Sequence, residues 1–418
     1  MTPLPWMQAP EAMAVFKALM AGGKEARFIG GCVRDAILKT EVRDIDIATP
    51  EPPDRVLELL AAAGIRAIPT GFDHGTITAV IGDKHFEVTS LRVDVESHGR
   101  HATVAFTDDW EADARRRDFT INTLSCTPDG DIYDPLEALD DLGKRWVRFV
   151  GEPRDRINED VLRLLRYFRF YATYANPPPN VHALAACRAL APRLKELSGE
   201  RIHSEMFRIL LAPNPADTLL LMKGERVLDY ILPEAINFGR LRMISWLEST
   251  ALNVASIAPD PLRRLAAMLS DDAGIHASVA GRLRLSNMEA HRLANMLGGD
   301  IEATPDTGPQ QRRRDLQQLG RDDYRDLVLL AWAEESNQDP RRPPIRKQAW
   351  QALIGEIDAW TPHIFPIKGR DALDMGMEHG PQVGAALATV EDWWRDGDFQ
   401  AGRDQCLERL QSVIKSGR

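Results

Sequence analysis

Period-two hydrophobic alternation, the mark of strands with one buried face, runs out of this chain near residue 150. Before that point, β-branched or alternating runs at Arg27–Ile29, Asp44–Ala48, Ile65–Pro69, Thr76–Ile81 and His85–Leu91 are interleaved with helical spacing at Met13–Ala21, Val33–Lys39 and Pro53–Ala63. After it, helical spacing takes over: Glu159–Thr173, His182–Leu190, Glu200–Leu211, and similar segments as far as Val383–Arg395. The pattern predicts an α+β fold, a small mixed sheet followed by an all-helical remainder. Pro177-Pro178-Pro179 reads as a stiff loop, and Ala303–Pro309 and Asp339–Pro344 as breaks between helices. The expected domains are 1–150, 151–212, 213–302 and 303–418.

The first segment also carries the densest chemistry. Gly30-Gly31 leads into an expected helix, where backbone N–H groups can approach a phosphate closely because no Cβ intervenes. Asp44 and Asp46 follow, two residues apart in an expected strand, so both carboxylates face one side and can share a metal site. Glu87, among apolar neighbours in a neighbouring run, is a candidate third carboxylate, although a lone strand glutamate is more often surface-facing. A glycine turn joined to an Asp-x-Asp strand describes a site for metal-bound triphosphate.

Two further clusters fit that chemistry. In Arg115-Arg116-Arg117-Asp118-Phe119-Thr120-Ile121-Asn122, adjacent arginines can neutralise phosphate, and Asp118 and Asn122, one helical turn apart, can reach a ribose hydroxyl or a triphosphate oxygen. In Glu159-Asp160-Val161-Leu162-Arg163, continued by Arg166 and Arg169, Asp160 and Arg163 lie at i and i+3 on one expected helix face. They can form an ordinary intrahelical ion pair. They can also read a base, because a carboxylate accepts from an exocyclic amino group while arginine donates to ring acceptors. Cytosine and adenine present that pattern; guanine and uracil do not.

Net charge is −10, which excludes a uniformly cationic surface but not a local one. Residues 144–169 hold eight Lys or Arg against four acids, so charge is segregated. No apolar run reaches membrane-spanning length and no secretory signal is evident, so a cytoplasmic enzyme is expected. Cys32, Cys126, Cys187 and Cys406 lack metal-ligand spacing and read as reduced, mostly buried thiols.

Taken in order, these segments resemble the class II tRNA nucleotidyltransferases, the CCA-adding enzymes, and the related bacterial poly(A) polymerases. The likeness rests on Gly30-Gly31-x-Val33-Arg34-Asp35, Asp44-x-Asp46, Arg116-Arg117-Asp118-Phe119-Thr120-x-Asn122, Asp134-Pro135, Val150-Gly151-Glu152, Glu159-Asp160-x-x-Arg163 and Glu200-Arg201-Ile202. It implies a polymerase beta-like nucleotidyltransferase head, a helical neck that reads the base, and a helical body and tail that grip tRNA. It further implies two Mg²⁺ ions on Asp44, Asp46 and Glu87, and triphosphate contacts from Gly30, Gly31 and Arg34. Arg117, Asp118 and Asn122 would contact ribose and phosphate, and Asp160, Arg163 and Arg166 would bind the nucleotide's base end. CTP and ATP would be the substrates, added to tRNA without a nucleic-acid template. A poly(A) polymerase or a partial CC- or A-adding enzyme are the alternatives, and a monomer and a homodimer both remain open.

Lys39 stands where many relatives have glycine, Thr123 where alanine is common, and Ala138 at a frequent glycine. Val93–Asp108 has the character of the family's mobile loop, in which Arg100 and His101 would help switch nucleotide choice. The absence of any His-Asp dipeptide predicts no phosphohydrolase activity. Arg312-Arg313-Arg314, Arg321, Arg341-Arg342 and Lys347 are candidate phosphate contacts, with solubilising charge the plainer reading for most.

Overall fold

The computed structural model describes residues 1–98, 101–251, 257–270, 272, 274–299, 301–339, 341 and 343–416. The chain forms two compact units, Met1–Pro233 and Glu234–Arg418.

The first unit is built on nine strands: β1 (Arg27–Ile29), β2 (Asp46–Thr49), β3 (Arg66–Gly71), β4 (Thr76–Ile81), β5 (Lys84–Ser90), β6 (Arg92–His98), β7 (His101–Phe106), β8 (Ser125–Cys126) and β9 (Ile132–Tyr133). Seven of them make one sheet in the order β3-β4-β5-β2-β1-β8-β9. Only β2 and β5 run parallel, so the sheet is mixed, as the alternating runs predict. Ile47, Phe28, Ile77, Phe86 and Val88 are buried within it, which leaves the intervening residues for the opposite face.

Three local expectations are corrected. The strand expected over Asp44–Ala48 begins at Asp46; Asp44 is exposed and precedes it, although backbone pairing already starts where Glu87 N–H donates to Ile45 O at 3.2 Å. Most of the expected loop 93–108 is the hairpin β6–β7, a separate two-stranded sheet. Arg100 lies outside the described residues, as does Arg342. The single helix expected over 159–173 is two, α6 (Pro153–Glu159) and α7 (Leu162–Tyr174). Asp160 between them is extended, and its carboxylate accepts the N–H of Leu162 at 3.1 Å. That local bond competes with helix continuation and satisfies the first free N–H of the next helix instead.

α7 packs on the sheet unit through aromatic rings. Phe119 lies 4.8 Å from Phe149 and 5.1 Å from Phe170, centroid to centroid, and Phe119, Phe149 and Tyr167 are nearly inaccessible. Such pairs add packing energy and fix orientation. Further helices of this unit, among them α8 (Val181–Leu190) and α9 (Gly199–Leu210), close it as expected.

The second unit is helical throughout its regular segments. Its interior holds a buried ionic cluster: Glu248 accepts from Arg263 Nε at 2.8 Å and Arg264 Nε at 2.6 Å, and Asp326 accepts from Arg263 and Arg292. The last helices enclose Ile367, Val390, Trp394 and Leu410. Several expected phosphate-binding arginines are instead tied down within this unit, Arg312 to Glu356, Arg313 to Asp398 and Arg314 to Asp396. All four cysteines are free and buried. Among the described residues no helix is long and apolar enough to cross a membrane.

The departure at Lys39 has a backbone consequence. Helix α2 (Gly31–Ile37) ends with Thr40 N–H bonded to Asp35 O and Lys39 N–H to Ala36 O, and Lys39 takes φ +57°. This is a Schellman ending, which favours glycine because an L side chain in the left-handed region costs about 1–2 kcal/mol. Lys39→Gly is therefore expected to stabilise the first unit by about 1 kcal/mol, seen as a higher denaturant midpoint at unchanged slope.

Candidate active site

Between the sheet and α7 lies a cleft of about 500 Å³ lined by Gly30, Gly31, Arg34, Asp46, Arg116, Arg117, Asp118, Asn122, Asp160, Leu162, Arg163, Arg166 and Phe170. It gathers the glycine turn, both basic clusters and one of the candidate metal carboxylates. Asp44 and Glu87 do not line it, but they stand beside it through Asp46. Glu87 is the register partner of Asp46 across the parallel strands, and the charges of Glu87 and Asp44 are both felt by Asp46.

Gly30 is required at its position. Its φ is +72°, and a Cβ there would come within 3.3 Å of Arg117 Nη1. The following helix has only seven residues, so the guanidinium groups around the turn carry more of the positive potential than its backbone dipole does.

Those groups are held by a run of hydrogen bonds. Arg166 Nε donates to Asp118 Oδ2 at 2.6 Å, and Asn122 Nδ2 donates to Asp118 Oδ1 at 3.0 Å. Arg34 Nη1 donates to Asn122 Oδ1 at 2.5 Å, and Arg34 Nη2 donates to Tyr174 Oη at 2.6 Å. Asp118 and Asn122 therefore do meet, across a short 3₁₀ turn (Thr120–Asn122) and not along an α-helix. Burial would raise the Asp118 carboxyl, but the Arg166 charge and the bonds from Asn122, Arg166 and Phe119 N–H hold it below the ordinary value. It stays ionised.

Arg116 and Arg117 share another buried carboxylate. Asp113 Oδ1 accepts from Arg116 Nε at 2.8 Å, and its Oδ2 accepts from Arg117 Nη2 at 3.0 Å. Burial opposes that charge, and the two arginines outweigh burial, so Asp113 too lies below the usual range.

Asp160 and Arg163 are both in the cleft but do not pair with each other as an intrahelical bridge would require. Arg201 Nη2 lies 3.0 Å from each Asp160 oxygen, while Arg163 Nη1 pairs with Glu159. The helix break at Asp160 separates them, leaving a carboxylate and a guanidinium side by side with different anchors.

The fit to a metal can be tested on the donor set. Asp46 is pushed up to about 6 by burial first, then by the negative charge of Glu87, with Arg117 opposing. A carboxylate raised in this way by burial and a neighbouring negative charge is relieved by a cation. Among the described residues no three His, Cys, Asp or Glu side chains form a ready-made cage. Mg²⁺ commonly takes one or two carboxylates and completes its shell with phosphate and water, so the residues fit that ion.

Asp113, Tyr174 and Arg156 were not singled out from the sequence. Asp113 sits one helical turn before Arg117, a spacing that favours pairing and is a readable signal. Tyr174 reaches Arg34 from 140 residues away, for which the sequence holds no sign.

Comparison with known proteins gives one answer along the chain. The model of the Poly A polymerase head domain matches residues 26–148, and that of the probable RNA and SrmB-binding site of polymerase A matches 182–238. The chain is 39% identical to the CCA-adding enzyme of Streptococcus gordonii, over 97% of this chain and 96% of that protein. It is 31% identical to the human CCA tRNA nucleotidyltransferase 1, mitochondrial, over 97% and 93%. In fold it is similar to the Bacillus stearothermophilus CCA-adding enzyme solved in complex with CTP, with TM-score 0.78 and 24% identity, covering 99% of each chain.

Asp46 gives a prediction in two parts. Its charge is unfavourable in the folded, metal-free protein: the penalty is absent below about pH 4, grows as pH rises towards about 6, and is constant above. Asp46→Asn should thus unfold at equal or higher denaturant than the parent at pH 7.5 without divalent ions, with the gain fading at pH 4. The same variant should lose nucleotidyl transfer with Mg²⁺ by a factor of about 10³ or more. Loss of stability at pH 7.5, or transfer at the parent rate, would contradict the assignment.

Proposed function

The chain belongs to the tRNA nucleotidyltransferase/poly(A) polymerase family, and from that premise we propose that it adds C, C and A to the 3′ end of tRNA from CTP and ATP. The near full-length similarity to proteins named as CCA-adding enzymes carries this reading, and the cleft supports it. Cations suited to a triphosphate and a carboxylate–guanidinium pair suited to a base line the same cavity.

In this reading, Arg34 and Arg117 hold the triphosphate above the Gly30-Gly31 turn, where the missing side chains allow close approach. Asp118 and Asn122, with polar atoms in the cleft, contact the ribose. Asp160 accepts from the exocyclic amino group of cytosine or adenine, and Arg163 donates to the adjacent ring acceptor. Arg166 fixes Asp118 and borders the base end. The tRNA 3′-hydroxyl attacks the α-phosphorus, a new P–O bond forms, the bond to the β-phosphate oxygen breaks, and pyrophosphate leaves. When bound, two Mg²⁺ ions on Asp44, Asp46 and Glu87 supply charge stabilisation to the attacking and leaving oxygens. The protein's own part is alignment.

Residues 1–150 and 151–212 are proposed as head and neck, and 213–302 and 303–418 as the body and tail that hold folded tRNA by shape and backbone. The buried free thiols suit a reducing compartment, consistent with a cytoplasmic location. Poly(A) polymerase is the second reading, favoured by the description of the head model.

A tRNA transcript ending at the discriminator base decides between them. With Mg²⁺, CTP and ATP, growth by three nucleotides that stops there, and needs both substrates, is the expected product. Long tails from ATP alone on unrelated RNAs would establish the second reading, and arrest after one or two additions a partial enzyme.

A further inference from the structure

Arg156 lies outside the set of residues that line the cleft, yet it touches both of the cleft's working parts. Its Nη1 donates to Glu159 Oε2 at 2.5 Å, and Arg163 Nη1 donates to that same oxygen. Its Nη2 donates to the backbone carbonyl of Arg117 at 2.7 Å and to that of Arg116. The Arg156 side chain is 11% exposed and that of Glu159 is 32% exposed, so the arginine is held mostly out of water, where its bonds are stiffer.

We propose that Arg156 is a positioning residue that couples base reading to triphosphate alignment. The inference rests on the function proposed above. The path is short and continuous: base edge, Arg163, Glu159, Arg156, then the peptide carbonyls of Arg116 and Arg117. A correct base draws the Arg163 guanidinium into one orientation. Glu159, shared between the two arginines, then holds Arg156 against those carbonyls, and the phosphate-binding side chains stand in register. A wrong base does not draw Arg163 into that orientation, so the shared carboxylate has nothing to pass on and the alignment is not completed. A direct contact from Arg163 Nη2 to Arg116 O exists but is long, 3.4 Å, so Arg156 is the main tie.

This arrangement makes a distinct kinetic statement. Discrimination carried only by contacts to the base would appear mostly as weaker binding of the wrong nucleotide. Discrimination carried through alignment appears in the rate of the bound complex, because small displacements of reacting groups cost large factors. The coupling acts on cognate nucleotides alone.

The test is single-turnover addition to a tRNA primer, with CTP and UTP each titrated to give a maximal rate and an apparent Kd. The proteins are the parent, Arg156→Ala, Arg156→Lys, Arg163→Ala and the double variant Arg156→Ala/Arg163→Ala, each checked by its unfolding midpoint. Lysine keeps a charge for Glu159 but has no fork to span Glu159 and two carbonyls, so it serves if alanine does not fold. The expected result is a loss of about 10-fold or more in the CTP rate for either Arg156 variant, with the slow UTP rate and the Kd for CTP nearly unchanged. In the Arg163→Ala background, removing Arg156 should cause no further loss in the CTP-to-UTP rate ratio. Equal losses for both nucleotides would show a merely structural role and overturn the coupling. So would selectivity losses that add in the double variant, or none at all. A parent protein that adds neither C nor A would instead refute the functional reading, and it is seen before any variant is compared.

Discussion

A run of hydrogen bonds that leaves α7 at Arg166, passes through Asp118, Asn122 and Arg34, and returns to α7 at Tyr174 holds this cleft in shape. It joins α7, a loop after the hairpin and the glycine turn of the sheet. Each buried polar group in it has a partner, which is the condition under which such networks rigidify a site and do not weaken it. Buried ion pairs of this kind add little net stability over apolar packing; the aromatic group around Phe119 supplies that at the same junction. Packing brings α7 to the sheet, and the polar run sets its angle.

The second constraint is charge balance. A triphosphate site needs several cations in a small volume, and cations crowded together repel. Here each is paired from behind: Arg116 and Arg117 by Asp113, Arg166 by Asp118, Arg163 by Glu159, and Arg34 by Asp35. The carboxylates orient the guanidinium groups and leave the cleft polar without a large net charge. A chain of net charge −10 can thus hold a polyanionic substrate locally. The carboxylates on β2 and β5 lean the other way. Asp46 beside Glu87 is a concentration of negative charge that Arg117 offsets in part and that a bound cation would relieve further.

Much of this was legible in the sequence, and the misses have common causes. The mixed sheet and the later helices follow from hydrophobic period, and β1 and β4 match their expected bounds. The cleft residues were legible as types and spacings around Gly30, Arg117 and Asp160, because local motifs record local geometry. What failed was geometry decided by competition or by distance. A helical period runs through Asp160, but its backbone is extended and its side chain accepts the N–H of Leu162, so the helix is interrupted there. The polar content of residues 93–108 hid the hairpin, whose cross-strand pairing carries no strong apolar stripe. The strands β8 and β9 have only two residues each, too few for a period to register. Tyr174 and Arg201 reach the site from far along the chain, and only the fold brings them there.

Protein side chains alone choosing the nucleotide, in a cleft that also aligns its phosphates, is most directly tested by the crystal structure of the protein with CTP bound. The expected density places the cytosine amino group against the Asp160 carboxylate, its ring acceptor against Arg163, and the triphosphate between Arg34 and Arg117. A cytosine turned to solvent, or held by other residues with Asp160 still closed on Arg201, would contradict it.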